Sequence, residues 1–322
     1  MVRKIMIVTA ILLVMLMLYF VPVNDKQKDL NKEQEVEYIY PEAVSAIYLL
    51  DSNNNLTRSL IKVDNHDELT KANSLIKELT INGGRENIIP NYFKALIPKG
   101  TKVNKLKLDN GILLIDFSHE FMDVRQKEEE KLIEAITYTL TNIPGIDKIS
   151  IYVDGNKLTS LPNSGTILPE YLDKSYGINK QYELTGLEDI LSYTIYYVLN
   201  LDNNVYYTPV TKYVNDSGRD KVKVIIEELT SSLLYESNLM SYLDTNVKLL
   251  DYEIIDKVIK LDFNDFILSD ITNERILEEV MYTVGLSLCS EFDLEKVVFM
   301  VDNQEISTFL AKNAWKIIKI II

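Results

Sequence analysis

One cysteine in 322 residues, Cys289, leaves no intrachain disulfide partner and no thiolate set for a structural zinc. Histidine is nearly as scarce. His66 and His119 both fall in the first half of the chain, near a predicted helix start and just after a predicted strand, with no cysteine beside them to complete a metal site. Basic residues fall short of acidic ones, 34 against 48, for a net charge of −14. Such a chain repels phosphate backbones, so no nucleic acid is expected as a partner. There is no Gly-x-Ser-x-Gly elbow and no phosphate-cradling glycine loop, and Gly83-Gly84 is an isolated pair. These absences leave no cofactor to predict. What remains is a chain of 47% hydrophobic and 25% charged residues, able to bury real cores and long enough for two domains.

At the N-terminus Arg3 and Lys4 precede an apolar run from Ile5 to Val21, broken only by Thr9 and followed by Pro22 and a polar stretch. A helix of that length spans about 25 Å, the short end of what crosses a bilayer. No small-x-small cleavage site follows, so residues 1–23 are expected to be an uncleaved signal anchor that meets the membrane through residues 5–21. The basic pair places the N-terminus in the cytoplasm, and the body outside, in a single-pass arrangement at the cytoplasmic membrane. Residues 24–42 read as a polar stalk.

Beyond the stalk the chain repeats itself. Ala46-Ile47-Tyr48-Leu49-Leu50 is echoed by Thr194-Ile195-Tyr196-Tyr197-Val198, Ile115-Asp116-Phe117 by Leu261-Asp262-Phe263, and Tyr152-Val153-Asp154-Gly155 by Met300-Val301-Asp302-Asn303. The three echoes come in one order at nearly constant spacing, which marks a tandem duplication. Residues 43–158 form the first copy, 159–191 a connector, 192–306 the second copy and 307–322 an apolar tail. Each copy reads as hairpin, helix, hairpin, helix and closing strand, with Asn110-Gly111 the strongest hairpin signal because both residues tolerate positive φ. Leu69, Ala72, Leu75, Ile76 and Leu79 give one helix a buried face, and Leu132, Ile133, Ile136 and Leu140 another. The second copy matches them with Val222, Ile225, Ile226, Leu229 and Leu233, then Ile276, Leu277, Val280, Met281, Val284 and Leu288. The expected class is α+β: tandem duplicated domains, each a small, mostly antiparallel sheet covered by two helices.

The string Ile97-Pro98-Lys99-Gly100-Thr101-Lys102-Val103, with Asn110-Gly111, Ile115-Asp116-Phe117-Ser118 and Ile151-Tyr152-Val153-Asp154-Gly155, resembles the GerM domain family. The second copy is degenerate: it keeps Asp262 and Asp302 but lacks the Pro-x-Gly-Thr loop. The resemblance implies a non-enzymatic, exported fold of the ring-building-motif type, in a membrane-anchored protein that helps assemble a sporulation or germination envelope complex. Its partners would be other envelope or sporulation-complex proteins, or further copies of itself. Characterised relatives are lipoproteins, and here no lipidation cysteine follows the apolar run.

The motif residues also have a reading of their own. Pro98 and Gly100, before Thr101, set a tight turn, Asn110 and Gly111 a hairpin turn, Asp154, Gly155 and Asp302 follow the strands that end each unit as structural motif residues, and Asp116 and Asp262 end strands where a carboxylate can cap the following turn. An envelope glycoside hydrolase could draw its carboxylates from Asp116, Glu120 and Asp123, and a ligand-binding sensor ectodomain is a third reading. Asp51, Asn53 and Asn55 begin like a calcium loop, but Leu56 stands where glycine is needed and Lys62 where glutamate is. Six tyrosines, Tyr193, Tyr196, Tyr197, Tyr206, Tyr207 and Tyr213, crowd one predicted hairpin. Opposite faces of a strand do not share one core, so part of this set is expected to lie exposed as a partner surface. The tail from Trp315 to Ile322 is too short to span a bilayer.

Overall fold

A fully buried strand, Val44–Leu50 (β1), opens the described part of the molecule. The computed structural model describes residues 44–63, 67–84, 89, 92–216, 218–231 and 238–311. The predicted anchor, the stalk, His66, Leu233 and the tail from Trp315 lie outside them. Among the described residues no helix is long and apolar enough to cross a membrane.

Both copies follow the predicted order. In the first, β1 and β2 (Leu56–Lys62) form a hairpin, followed by α1 (Glu68–Leu79), the hairpin β3 (Val103–Asp109) and β4 (Ile112–Phe117), α2 (Glu129–Leu140), β5 (Lys148–Val153) and β6 (Asn156–Lys157). The connector contributes β7 (Gln181–Glu183). The second copy runs β8 (Ile190–Leu201), β9 (Asn204–Asn215), α3 (Lys221–Ser231), β10 (Leu239–Met240), β11 (Leu249–Ile255), β12 (Val258–Phe263), α4 (Glu278–Glu291), β13 (Lys296–Val301) and β14 (Gln304–Leu310). Asp67 caps α1 by accepting the Thr70 amide at 2.8 Å. Ala72, Leu75, Ile76 and Leu79 are buried as their spacing predicts, but Leu69, in the first turn, is 36% exposed. Leu277 is likewise exposed, because it precedes α4 instead of belonging to it.

The strands of one copy do not form a single sheet. β3-β4-β5-β6 and β11-β12-β13-β14 are two separate four-stranded sheets. Each is mostly antiparallel as expected, with one parallel pair in each where the helix crossovers bring β5 beside β4 and β13 beside β12. The opening hairpins leave these sheets and meet each other in the order β1-β2-β9-β8-β10, with β7 beside β9. The join is antiparallel, with Arg58 opposite Tyr207. Next to that pair the Thr57 and Thr208 hydroxyls meet at 2.7 Å. In their own hairpins Thr57 lies opposite Leu49 and Thr208 opposite Tyr197, so the two threonines are repeat equivalents and a local two-fold axis passes between them. The duplication has thus built an intramolecular version of a symmetric dimer interface.

The outer strands of both hairpins, β1 and β8, are covered where no strand pairs with them. Thr139 of α2 accepts the Tyr48 amide at 3.1 Å, and its equivalent Ser287 of α4 accepts the Tyr196 amide at 2.8 Å. Helix hydroxyls therefore occupy backbone groups that a bare edge would offer to another chain.

Candidate functional site

The tyrosine hairpin is not an exposed surface. Tyr193, Tyr196, Tyr197, Tyr206 and Tyr207 are each 6% exposed or less, and Tyr213 is half-buried. The expectation fails because β8 and β9 lie between two cores instead of against one. On one face Tyr197 donates to Glu228 of α3 at 3.3 Å, and the Tyr206 ring lies 4.9 Å from Phe93 of the first copy. On the other, Tyr207 stacks on Tyr282 of α4 at 5.3 Å and Tyr196 meets Tyr48. A strand covered on both faces is apolar throughout, which explains the density of rings.

The motif residues turn out to be builders of turns. Gly100 has φ +90, and Thr101 donates through its amide and its hydroxyl to the Pro98 carbonyl. Asn110 and Gly111, at φ 48 and 77, close the β3–β4 hairpin as the Asn-Gly signal predicts. Asp154 and Asp302 hold positive φ in the turns that end β5 and β13. Asp116 and Asp262 are caps, but of a more distant turn than the one that follows them: Asp116 accepts the Gly155 amide at 2.9 Å, and Asp262 accepts the Asn303 amide at 3.2 Å. The copies therefore share an interaction even where glycine has become asparagine.

Where the copies meet, the connector inserts a side chain. Pro209 has no amide to offer Leu56 across the β2–β9 join, and Asn179 fills the gap. Its side chain accepts the Leu56 amide at 2.8 Å and donates to the Leu56 and Pro209 carbonyls at 2.8 and 2.7 Å. Its own amide donates to Glu134 of α2 at 3.0 Å. Burial raises the Glu134 carboxyl above its ordinary pKa, opposed by the nearby Lys131 and Lys180.

Beside the join a cleft of ≈ 380 Å³ opens between the copies. Tyr48 and Tyr196, repeat equivalents 148 residues apart, touch hydroxyl to hydroxyl at 2.9 Å in its wall. Leu286, Leu294 and Phe309 make an apolar side, while Arg58 and Lys174 bring two cations. Cys289 also lines it, its thiol pushed up to about 12 by burial, so it is protonated and a poor nucleophile at neutral pH. Asp293 and Glu295 stand at the rim with Lys257, whose ammonium lies 2.9 and 3.9 Å from their carboxylates.

The two copies also differ at their free strands. β3 and β11 are equivalent edge strands of the two four-stranded sheets. β3 exposes Lys105 and Lys107. β11 exposes Leu250 (57%), Ile254 (42%) and Ile255 (52%) around Asp251 and Glu253.

A family model described as sporulation and spore germination, Germane, matches residues 46–159 and again 194–307. The chain belongs to the Germane family. It is 30% identical to the spore germination protein GerM of Bacillus subtilis strain 168 over 264 residues, 80% of this chain and 71% of that one. The tandem GerMN domains of the sporulation protein GerM from Bacillus subtilis share its fold with a TM-score of 0.74 at 29% identity, covering 81% of this chain and 91% of theirs.

Within the Germane frame the alternative chemistry gains nothing. Glu120, offered for a hydrolase, is held below the usual carboxylate range by the Ser118 hydroxyl, the reverse of what a general acid needs. His119 is 79% exposed, with the Asp154 carboxylate 3.7 Å away. Among the described residues no group of three or more His, Cys, Asp or Glu side chains could hold a metal ion. Lys174, Arg58 and Asn179 escaped the sequence reading. A lone lysine and a lone asparagine in a polar connector carry no periodic or spacing signal.

Proposed function

We propose that this Germane protein is a non-enzymatic assembly module of a sporulation or germination envelope complex, held at the membrane by residues 1–23 with its body outside. Its mode of assembly is edge-to-edge association of chains, β11 of one against β3 of the next. One observation carries this reading: the two equivalent edges are complementary. Lys105 and Lys107 on β3 suit Asp251 and Glu253 on β11, while Leu250 and Ile254 give the acidic edge an apolar surface to bury. A pairing of unlike edges is head-to-tail, and such contacts propagate into rings or filaments. The β2–β9 join supports it from inside the molecule, since these copies already associate by antiparallel strand edges. The likeness to a relative named as a spore germination protein supports a role in sporulation or germination.

Sedimentation of the full-length chain in detergent micelles tests the assembly. Oligomers are expected, lost in Lys105→Glu/Lys107→Glu and regained when Asp251→Lys/Glu253→Lys is added. A monomer at every concentration overturns self-association. Protease shaving of intact protoplasts tests the topology, and survival of the body overturns the external placement.

A further inference from the structure

We propose that the cleft between the two Germane copies is a binding site for a small organic carboxylate carried on an apolar body, such as a peptide C-terminus or a short branched acid. The site rests on Lys174. This residue belongs to the one-turn helix Lys174–Tyr176 of the connector, and it lines the cleft. Among the described residues its side chain has no hydrogen-bond acceptor and no carboxylate within ion-pair distance. The acids in reach are engaged elsewhere. Glu291 accepts Lys221 at 2.6 Å and the Thr194 amide at 2.7 Å, and the rim carboxylates Asp293 and Glu295 flank Lys257.

In a chain of net charge −14, a half-buried cation left without an acid while a second cation, Arg58, lines the same cleft is an arrangement that an incoming anion completes. Burial holds the Lys174 ammonium below its usual pKa, opposed by Cys289 and aided to a smaller degree by the Arg58 charge, and an anion beside it would offset the lowering. The rest of the lining selects the body. Leu286, Leu294 and Phe309 offer apolar surface, the Tyr196 hydroxyl offers a hydrogen bond, and a volume of ≈ 380 Å³ lies in the range of small-molecule sites. The site exists only in the duplicated chain. One copy gives Arg58 and Tyr48, the other Tyr196 and the apolar side, and the connector gives the lysine. It is independent of the β3–β11 pairing.

Ligand-observed NMR and thermal shift on the full-length chain decide the matter, with N-acetyl-leucine, isovalerate, N-acetyl-leucinamide and inorganic phosphate as probes. N-acetyl-leucine or isovalerate should bind and the amide should not, and the tighter of the two acids assigns the natural source. Lys174→Met should weaken the acid by about tenfold or more, which corresponds to about 1.4 kcal/mol, while Lys174→Arg retains it. Because the ammonium lacks a partner, Lys174→Met should fold at least as stably as the parent, which separates lost binding from lost structure. Equal binding of acid and amide, acid binding indifferent to Lys174→Met, phosphate binding in preference to both acids, or no binding of either acid each overturns the proposal.

Discussion

The two Germane copies fold alike, yet their sequences agree only in places, and what they keep differs from what they lose. Kept are contacts with the backbone. Ser118 accepts the Lys102 amide in the first copy, and Asn264 accepts the Lys248 amide in the second. Thr139 and Ser287 serve Tyr48 and Tyr196 in the same way. A hydroxyl and an amide oxygen are interchangeable as acceptors, so these positions drift without altering the fold. Lost are the contacts that depend on what lies alongside. The first copy ends in a two-residue β6 and passes into the connector, whereas the second extends β14 for seven residues. The exposed edges diverge too, basic on β3 and acidic with apolar on β11. Duplication preserved the frame and released the surface.

Alkaline pH should break the copies apart most completely. Tyr213 and Tyr282 are pushed up to about 12 chiefly by burial, and Tyr252 to about 12 by its hydrogen bond to the Asp220 carboxylate. All three belong to the second copy. In the unfolded chain these phenols ionise near 10, so between 10 and 12 the native state holds more protons and stability falls as pH rises. Their stabilising contribution is whole below pH 10 and gone above 12. Tyrosinate absorbance with hydrogen exchange should show the second copy opening before the first. The reverse order would mean that burial of these rings does not govern the alkaline limit.

Asn179→Ala comes next. It leaves the Leu56 amide and the Leu56 and Pro209 carbonyls without their partner at a buried join, and places alanine at φ 48. The loss should be on the order of 3–5 kcal/mol. Urea unfolding followed by hydrogen exchange in each copy should also split into two transitions as the join fails. A single unshifted transition would show that the copies are coupled elsewhere.

This join marks the limit of what the sequence discloses. The hairpins, the order of elements and most helix faces are local, written in Asn110-Gly111 and in the spacing of Leu132, Ile133, Ile136 and Leu140, all four of them buried. Pairing β2 with β9 is a contact across some 150 residues between strands that already have partners, and nothing in Thr57 or Thr208 announces it. The misjudged tyrosines follow from the same gap. With the hairpin placed against one core, half its side chains must be exposed; with a second copy across it, none need be. The turn motif could be read from residue types because positive φ is a property of single residues. The cleft could not, because it forms only where two copies and a connector converge.

Equivalent core positions compare the helices directly. Ile136 of α2 and Val284 of α4 are both fully buried. Ile136→Ala should cost about 2–5 kcal/mol and Val284→Ala about 1–3, in proportion to the volume removed. Equal losses in chemical denaturation would indicate that the second core collapses around its cavity less well than the first.

The smallest effect is the sharpest test of how the copies diverged. Counting back from Thr139 and Ser287, Thr137 of α2 corresponds to Gly285 of α4. A Cβ on Gly285 would lie 2.4–2.7 Å from three ring carbons of Phe309, the residue that the longer β14 lays over α4. Glycine inside a helix is unfavourable, and Gly285→Ala would recover up to about 1 kcal/mol of propensity. Displacing the packed ring should outweigh that gain, at about 1–3 kcal/mol. Thr137 has the opposite defect: its Cβ is accommodated, but its buried hydroxyl finds no partner among the described residues. Thr137→Val keeps the shape and removes the stranded oxygen, so it should stabilise by about 1 kcal/mol or less. Thermal unfolding of the two variants should therefore move in opposite directions. A gain from Gly285→Ala would mean that Phe309 yields and that the glycine is not held in place by β14.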